Sequence, residues 1–170
     1  MLMWDELKGS IEAILFMRSE PISLEELAHI LETPVADLKL TLEEMIIEYN
    51  RSKRGIQIIY AASGYMMGTN PEYSNILVRM EKPVKRKLSQ AAMEALAIIA
   101  YKQPVTRVEI EQIRGVKSDR IIYSLLEKGL IVEAGHKAVP GKPVLYTTTN
   151  EFLKVFGLPS LGELPVLEGE

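Results

Sequence analysis

The chain has 170 residues, 47% of them hydrophobic, and a formal net charge of -3: enough apolar material for one good core or two small ones, with no charge excess that defines a partner. It has no cysteine, which excludes disulfides, thiolate-bound zinc and a cysteine nucleophile. No apolar run approaches the roughly 18–20 residues that cross a bilayer, and Met1-Leu2-Met3-Trp4-Asp5-Glu6 lacks the basic and apolar regions of a signal peptide, so a cytoplasmic protein is expected.

Over residues 7–18, Leu7, Ile11, Ile14 and Leu15 share one helical face, and Pro21 ends the segment. Pro21-Ile22-Ser23-Leu24-Glu25-Glu26-Leu27 then reads as a helix start. Ser23 is placed to cap, Glu26 to close the capping box, and Ile22 to staple against Leu27. A third helix is expected from Thr33-Pro34, a cap followed by proline at the first helical position. Its apolar residues Val35, Leu38, Leu42, Met45, Ile46 and Tyr49 keep nearly heptad spacing, which serves a core alone or a core plus a partner helix. Residues 56–60 and 65–68 read as strands around a turn at Ala62-Ser63-Gly64, and Pro71 opens a short closing helix through Ile76 and Leu77. Three helices followed by a hairpin is the winged-helix order.

The second half repeats this order. Ser89 is placed to cap a helix whose apolar face holds Met93, Leu96, Ala97 and Ala100. Pro104-Val105-Thr106-Arg107-Val108-Glu109-Ile110 then matches the earlier start position by position: proline, β-branched residue, hydroxyl cap, two residues, glutamate, aliphatic. That repetition, each time between two helices, indicates an internal duplication. Gly115 ends this helix, and Ser118-Asp119 caps the next through Ile122, Leu125 and Leu126. Lys128-Gly129 supplies a last-turn cation and a left-handed stop. Residues 130–132 and 144–147 form the wing strands, with 135–143 as the tip. Asn150 caps a short helix presenting Phe152, Leu153 and Phe156, and an apolar tail broken by Pro159, Gly162 and Pro165 packs on its own domain or is held by a partner.

The expected architecture is therefore mainly α with small β-hairpins: a winged-helix domain at 1–80, a charged linker at 81–88, a second winged-helix domain at 89–157 and a tail at 158–170. Charge follows the same division. Residues 1–82 carry 8 basic and 13 acidic side chains, and residues 83–157 carry 12 basic and 7 acidic, so the two domains face different surroundings.

Residue chemistry argues against catalysis. His29 and His136 stand apart, with no metal-ligand spacing between them. Residues 135–142 miss the phosphate-loop pattern, with one residue too many between the glycines and Pro143 where a hydroxyl belongs. No buried acid–base pair is indicated, and no cofactor or metal is expected. DNA binding is the rival reading for this fold. The first domain's third helix displays Asp37, Glu43, Glu44 and Glu48 against Lys39, which repels phosphates. The second domain offers Arg107, Arg114, Lys117 and Arg120, with Lys85, Arg86 and Lys87 in the linker. These suit weak, nonspecific, salt-sensitive phosphate contacts and little base readout.

The stretch Leu88-Ser89-Gln90-Ala91-Ala92-Met93-Glu94-Ala95-Leu96-Ala97-Ile98-Ile99-Ala100-Tyr101-Lys102-Gln103-Pro104-Val105-Thr106-Arg107 resembles the segregation and condensation protein B family. So do Glu109-Ile110-Glu111-Gln112-Ile113-Arg114-Gly115-Val116, Pro140-Gly141-Lys142-Pro143, Tyr146-Thr147-Thr148-Thr149 and the closing Glu151-Phe152-Leu153-Lys154-Val155-Phe156-Gly157-Leu158. The family commonly has arginine where this chain has His136 and Lys142, so a bidentate contact there is not carried over. The resemblance implies a homodimer formed through the N-terminal domains. It also implies binding to the kleisin (segregation and condensation protein A), and through it to the structural-maintenance-of-chromosomes ATPase, at the nucleoid and without enzymatic activity. Leu38, Leu42, Met45, Ile46 and Tyr49 are the candidate dimer contacts. Tyr101, Ile122, Tyr123, Leu126, Phe152 and Phe156 are the candidate kleisin contacts, chosen as large apolar side chains near groove edges.

Overall fold

The computed structural model describes residues 4–80 and 88–166. The chain divides into two compact units, Met1–Val84 with Gly157–Glu170, and Lys85–Phe156.

The first unit runs α1 (Trp4–Met17), α2 (Leu24–Leu31), α3 (Val35–Arg51), β1 (Ile56–Ala61) and β2 (Gly64–Thr69), then a 3-10 turn (Pro71–Tyr73) leading into α4 (Ser74–Met80). α1 buries Leu7, Ile11 and Leu15, and α3 buries Leu38, Thr41, Leu42, Met45 and Tyr49. With Ile22, Leu27 and Ile58 they make one core, each large apolar side chain contributing roughly 1.5–3 kcal/mol on burial. Thr41 is tolerated there because its hydroxyl donates to the Asp37 carbonyl at 2.8 Å.

The start of α2 is half of what the sequence suggests. The Ser23 hydroxyl accepts from the Glu26 amide at 3.1 Å, but the Glu26 carboxylate turns to the Arg18 guanidinium at 2.5 Å. A cation within reach outcompetes the backbone for that carboxylate. Thr33 does not cap α3 either: its hydroxyl donates to the Leu31 carbonyl at 2.9 Å, and the helix begins after Pro34 without a side-chain cap.

β1 and β2 are antiparallel from Ile56↔Thr69 to Ala61↔Gly64, and Ile22 adds a bridge to Tyr65. The Ile22 and Tyr65 amides each donate to the other's carbonyl, at 2.9 and 2.8 Å. Gly64 is required by this approach, since a Cβ there would lie 2.9 Å from the Ile22 carbonyl oxygen.

The second unit runs α5 (Gln90–Lys102), β3 (Val105–Thr106), α6 (Arg107–Arg114), α7 (Asp119–Glu127), β4 (Ile131–His136), β5 (Val144–Thr148) and α8 (Asn150–Phe156). Its sheet order is β3-β5-β4, with Val105 opposite Tyr146. In both units the residue after the proline therefore pairs with a tyrosine on the returning wing strand. The duplicated heptapeptide reaches the tertiary level.

Here the capping box is complete. The Thr106 hydroxyl accepts from the Glu109 amide, and the Thr106 amide and hydroxyl donate to Glu109 Oε2 at 2.8 and 2.7 Å. Gly115 and Gly129 take the left-handed conformation, with φ of 71° and 64°. Two expected caps shift. Ser118 makes no cap bond; its oxygen accepts from Arg114 Nη1 at 2.7 Å. Thr149 caps α8 in place of Asn150, accepting from the Phe152 amide at 3.3 Å while donating to the Gly129 carbonyl at 2.5 Å.

The tail returns to the first unit. The Ala62 amide donates to the Leu158 carbonyl at 2.9 Å and the Ser63 amide to the Pro159 carbonyl at 3.0 Å. Expected on the second domain or on a partner, the tail instead places its main-chain carbonyls against the two amides that the first hairpin turn leaves outside its ladder.

Candidate protein-binding surfaces

The apolar row of α3 belongs to the protomer's own core. Leu38 and Leu42 are fully buried, Met45 and Tyr49 nearly so, and Ile46 is half-buried against the same cluster. As dimer contacts Leu38, Leu42, Met45 and Tyr49 are corrected, because α3 packs this face on α2 and β1. Near-heptad spacing is what a single buried face produces. The outer face carries Leu40 and Ile47, seven residues apart and exposed. Lys8 fastens α1 to α3, reaching Glu48 at 2.5 Å and Glu44 at 3.6 Å. The Glu48 hydrogen bond, above all, raises its pKa.

The first unit's exposed apolar surface lies elsewhere. Gly9, Ala13 and Phe16 recur at helical spacing on the outer side of α1, and with Glu12, Ile56 and Met67 they line a cleft of about 310 Å³ between α1 and the hairpin. Phe16 is 76% exposed and the neighbouring Met17 82%. Glycine and alanine keep the cleft floor low, and a Cβ at Gly9 would meet open space. The stripe is legible in the sequence as a second apolar register offset from Leu7, Ile11 and Leu15, but Gly9 and Ala13 carry too little hydrophobicity to announce it.

In the second unit, Ile122 and Phe152 are core residues, which corrects them as partner contacts. Tyr101 and Leu126 are half-buried, whereas Tyr123 and Phe156 are exposed. The Phe156 ring packs 4.8 Å from the Phe152 ring, tilted by 37°, and remains partly exposed. Val108, Ile113 and Val116 add exposed apolar area on and after α6, beside a shallow depression lined by Glu111, Gln112 and Lys117.

Of the cations, Lys85, Arg86 and Lys87 lie outside the described residues. Arg107 is paired with Asp119. The Arg114 side chain is only 5% exposed, bonded to Ser118 and 3.6 Å from Glu94, and is corrected from phosphate contact to internal brace. Lys117 and Arg120 are exposed. Lys137, from the end of the wing, contacts Glu109 at 2.5 Å. With the Thr106 donors it lowers the Glu109 pKa to about 2 and ties the wing to the start of α6. Among the described residues, no group of three or more His, Cys, Asp or Glu could hold a metal, and no helix is long and apolar enough to cross a membrane.

Two units, each with three helices and then a β-hairpin wing that the residue after a proline joins, by a single bridge at Ile22 in the first and by strand β3 in the second, make this a tandem winged-helix protein with exposed apolar patches. The family described as segregation and condensation complex subunit ScpB matches residues 9–167, and the chain belongs to that family. It is similar to segregation and condensation protein B of Alkaliphilus oremlandii (strain OhILAs), 50% identical over 162 residues, or 95% of this chain and 88% of the relative. Among solved structures it is similar to ScpB from Mycobacterium tuberculosis, 34% identical over 93% of this chain and 99% of the other, TM-score 0.46. A dimer of the ScpB N-terminal domain complexed with a ScpA peptide is 29% identical over 44% of this chain and 93% of the other, TM-score 0.42.

Proposed function

We propose that this protein is a non-enzymatic accessory subunit of a prokaryotic SMC–kleisin complex, supporting chromosome condensation and segregation at the nucleoid in the cytoplasm. The first winged-helix domain forms the homodimer, and exposed apolar side chains of the second, Tyr123 and Phe156 foremost, contribute to kleisin binding. The kleisin in turn connects the dimer to the SMC ATPase. The observation that carries this reading is the exposed α1–hairpin cleft with Phe16 and Met17 on its rim, in a chain whose family is defined as complex subunits. Exposed apolar patches mark surfaces that meet other proteins. Direct DNA binding is the weaker alternative, since Arg107 and Arg114 are engaged within their own unit.

Light scattering after size-exclusion chromatography tests the proposal. A mass near twice 19.1 kDa, and a larger stable complex on adding the kleisin, is the expected result. A monomer that ignores the kleisin overturns it.

A further inference from the structure

Tyr49, near the end of α3, is 3% exposed, and its buried hydroxyl oxygen has no hydrogen-bond partner. A hydroxyl in that state bears the cost of leaving water with nothing to offset it. Its charged neighbours are the Glu12 carboxylate, on α1, and the Arg54 guanidinium. Arg54 lies over the ring, 4.5 Å from its centroid, a cation–π contact that leaves the hydroxyl unused. Burial first, and then Glu12, raise the Tyr49 pKa, so the oxygen keeps its proton and stands as a donor.

Glu12 has the opposite shortage. It is exposed, lines the α1–hairpin cleft beside Ala13, Phe16, Ile56 and Met67, and forms no ion pair among the described residues. In the separate protomer such a carboxylate is hydrated. Once the cleft is covered it leaves water among apolar neighbours, at heavy cost unless a donor meets it. A second copy of this unit is poorly suited to bring a cation, since residues 1–82 carry 8 basic side chains against 13 acidic. The donor is then best supplied from within. Met67 both lines the cleft and packs on the core cluster that holds Tyr49, so cleft and core share a wall at this point. The glutamate side chain has the rotatable bonds to turn its carboxylate onto the Tyr49 hydroxyl.

We propose that the Tyr49 hydroxyl donates to the Glu12 carboxylate when a second copy of the chain covers the α1–hairpin cleft, a hydrogen bond that the separate protomer does not make. This rests on the reading of that cleft as the dimer surface. Tyr49 stays a core residue and touches no part of the second copy; it is a positioning residue that acts through Glu12. The pair allows a carboxylate to enter an apolar interface without a cation from the other protomer.

A double-mutant cycle on the full chain tests this. Dimer dissociation constants come from analytical ultracentrifugation, and melting points from the dilute protomer, for Tyr49→Phe, Glu12→Ala, the two together, and Phe16→Ala. Tyr49→Phe is expected to raise the dimer dissociation constant about tenfold, as loss of a hydrogen bond to a charged group does. Its dilute melting point should be unchanged or higher, because the ring is kept and only an unpartnered hydroxyl is removed. With Glu12→Ala in place, Tyr49→Phe should no longer change the constant. An equal loss of dimer in the Glu12→Ala background overturns the proposal, and so does a Tyr49→Phe melting point that falls when dilute as much as the dimer weakens. If Phe16→Ala weakens the dimer and Tyr49→Phe does not, the cleft is the dimer surface but the Tyr49–Glu12 bond is refuted. If neither changes the constant, the cleft is not the dimer surface and both readings fall.

Discussion

Leu42→Ala separates core from interface on α3. Leu42 is fully buried among Leu38, Met45, Tyr49 and their neighbours, so truncation removes transfer free energy and leaves a cavity, at a cost of about 2–5 kcal/mol. In a unit of this size each kcal/mol moves the midpoint by about 4–8 °C, giving a fall of some tens of degrees at most and about 8 °C at least. Phe16→Ala is the control. Its side chain is 76% exposed, so in a monomer it shifts stability by no more than about 0.5 kcal/mol. The assay is thermal unfolding by circular dichroism over a hundredfold range of protein concentration, with mass measured in parallel. A core residue lowers the midpoint at every concentration. An interface residue lowers it only where the dimer is populated, because dimer stabilisation obeys mass action. If Leu42→Ala unfolds like the parent when dilute yet fails to dimerise, the assignment of this row to the core is wrong. If Phe16→Ala leaves the dimer constant untouched, the α1–hairpin cleft is not the dimer surface.

Three further outcomes follow. The Glu109 carboxylate, held at about 2 against 4.5 for an unperturbed group, contributes stability that is complete above pH 4.5 and lost as pH falls from there to about 2. Both partners are partly exposed, so solvent screening limits the effect to about 1 kcal/mol. Acid titration of Glu109→Gln, monitored by unfolding of the second unit, should lack that loss. Arg114→Ala should destabilise the second unit by about 1–3 kcal/mol by leaving the buried Ser118 hydroxyl without its donor, whereas Lys117→Ala should be neutral in the same denaturation assay. Tyr123→Ala should weaken kleisin binding by about 1 kcal/mol or more in calorimetry without changing the melting point, and unchanged affinity removes its assigned role.

The order of elements was legible because it depends on punctuation that local physics enforces. Ser89 caps α5 by accepting from the Ala92 amide at 3.2 Å, and Gly115 and Gly129 stop helices where only glycine takes a positive φ without strain. Caps chosen between adjacent hydroxyl and amide residues were less legible. Thr149 displaced Asn150 because its oxygen also reaches the Gly129 carbonyl, a partner 20 residues away that spacing alone cannot reveal. The Glu26 arm of the first box failed for the same kind of reason, through Arg18.

The binding surfaces were harder to read, for a physical cause visible in α3 and α1. Hydrophobic periodicity reports which residues share a face and says nothing of what covers it. Leu38, Leu42, Met45 and Tyr49 make the strongest apolar row in the first half and are buried by their own unit. The exposed stripe, Gly9-Ala13-Phe16, is weak in hydrophobicity because two of its three residues are small. The two repeats sharpen the contrast. The proline-led heptapeptide recurs because each copy must place a β-branched residue opposite a wing tyrosine, Ile22 at Tyr65 and Val105 at Tyr146. Outward-facing positions carry no such shared demand. The first unit shows Phe16 and Met17 and the second Tyr123 and Phe156, so a duplicated scaffold presents different faces.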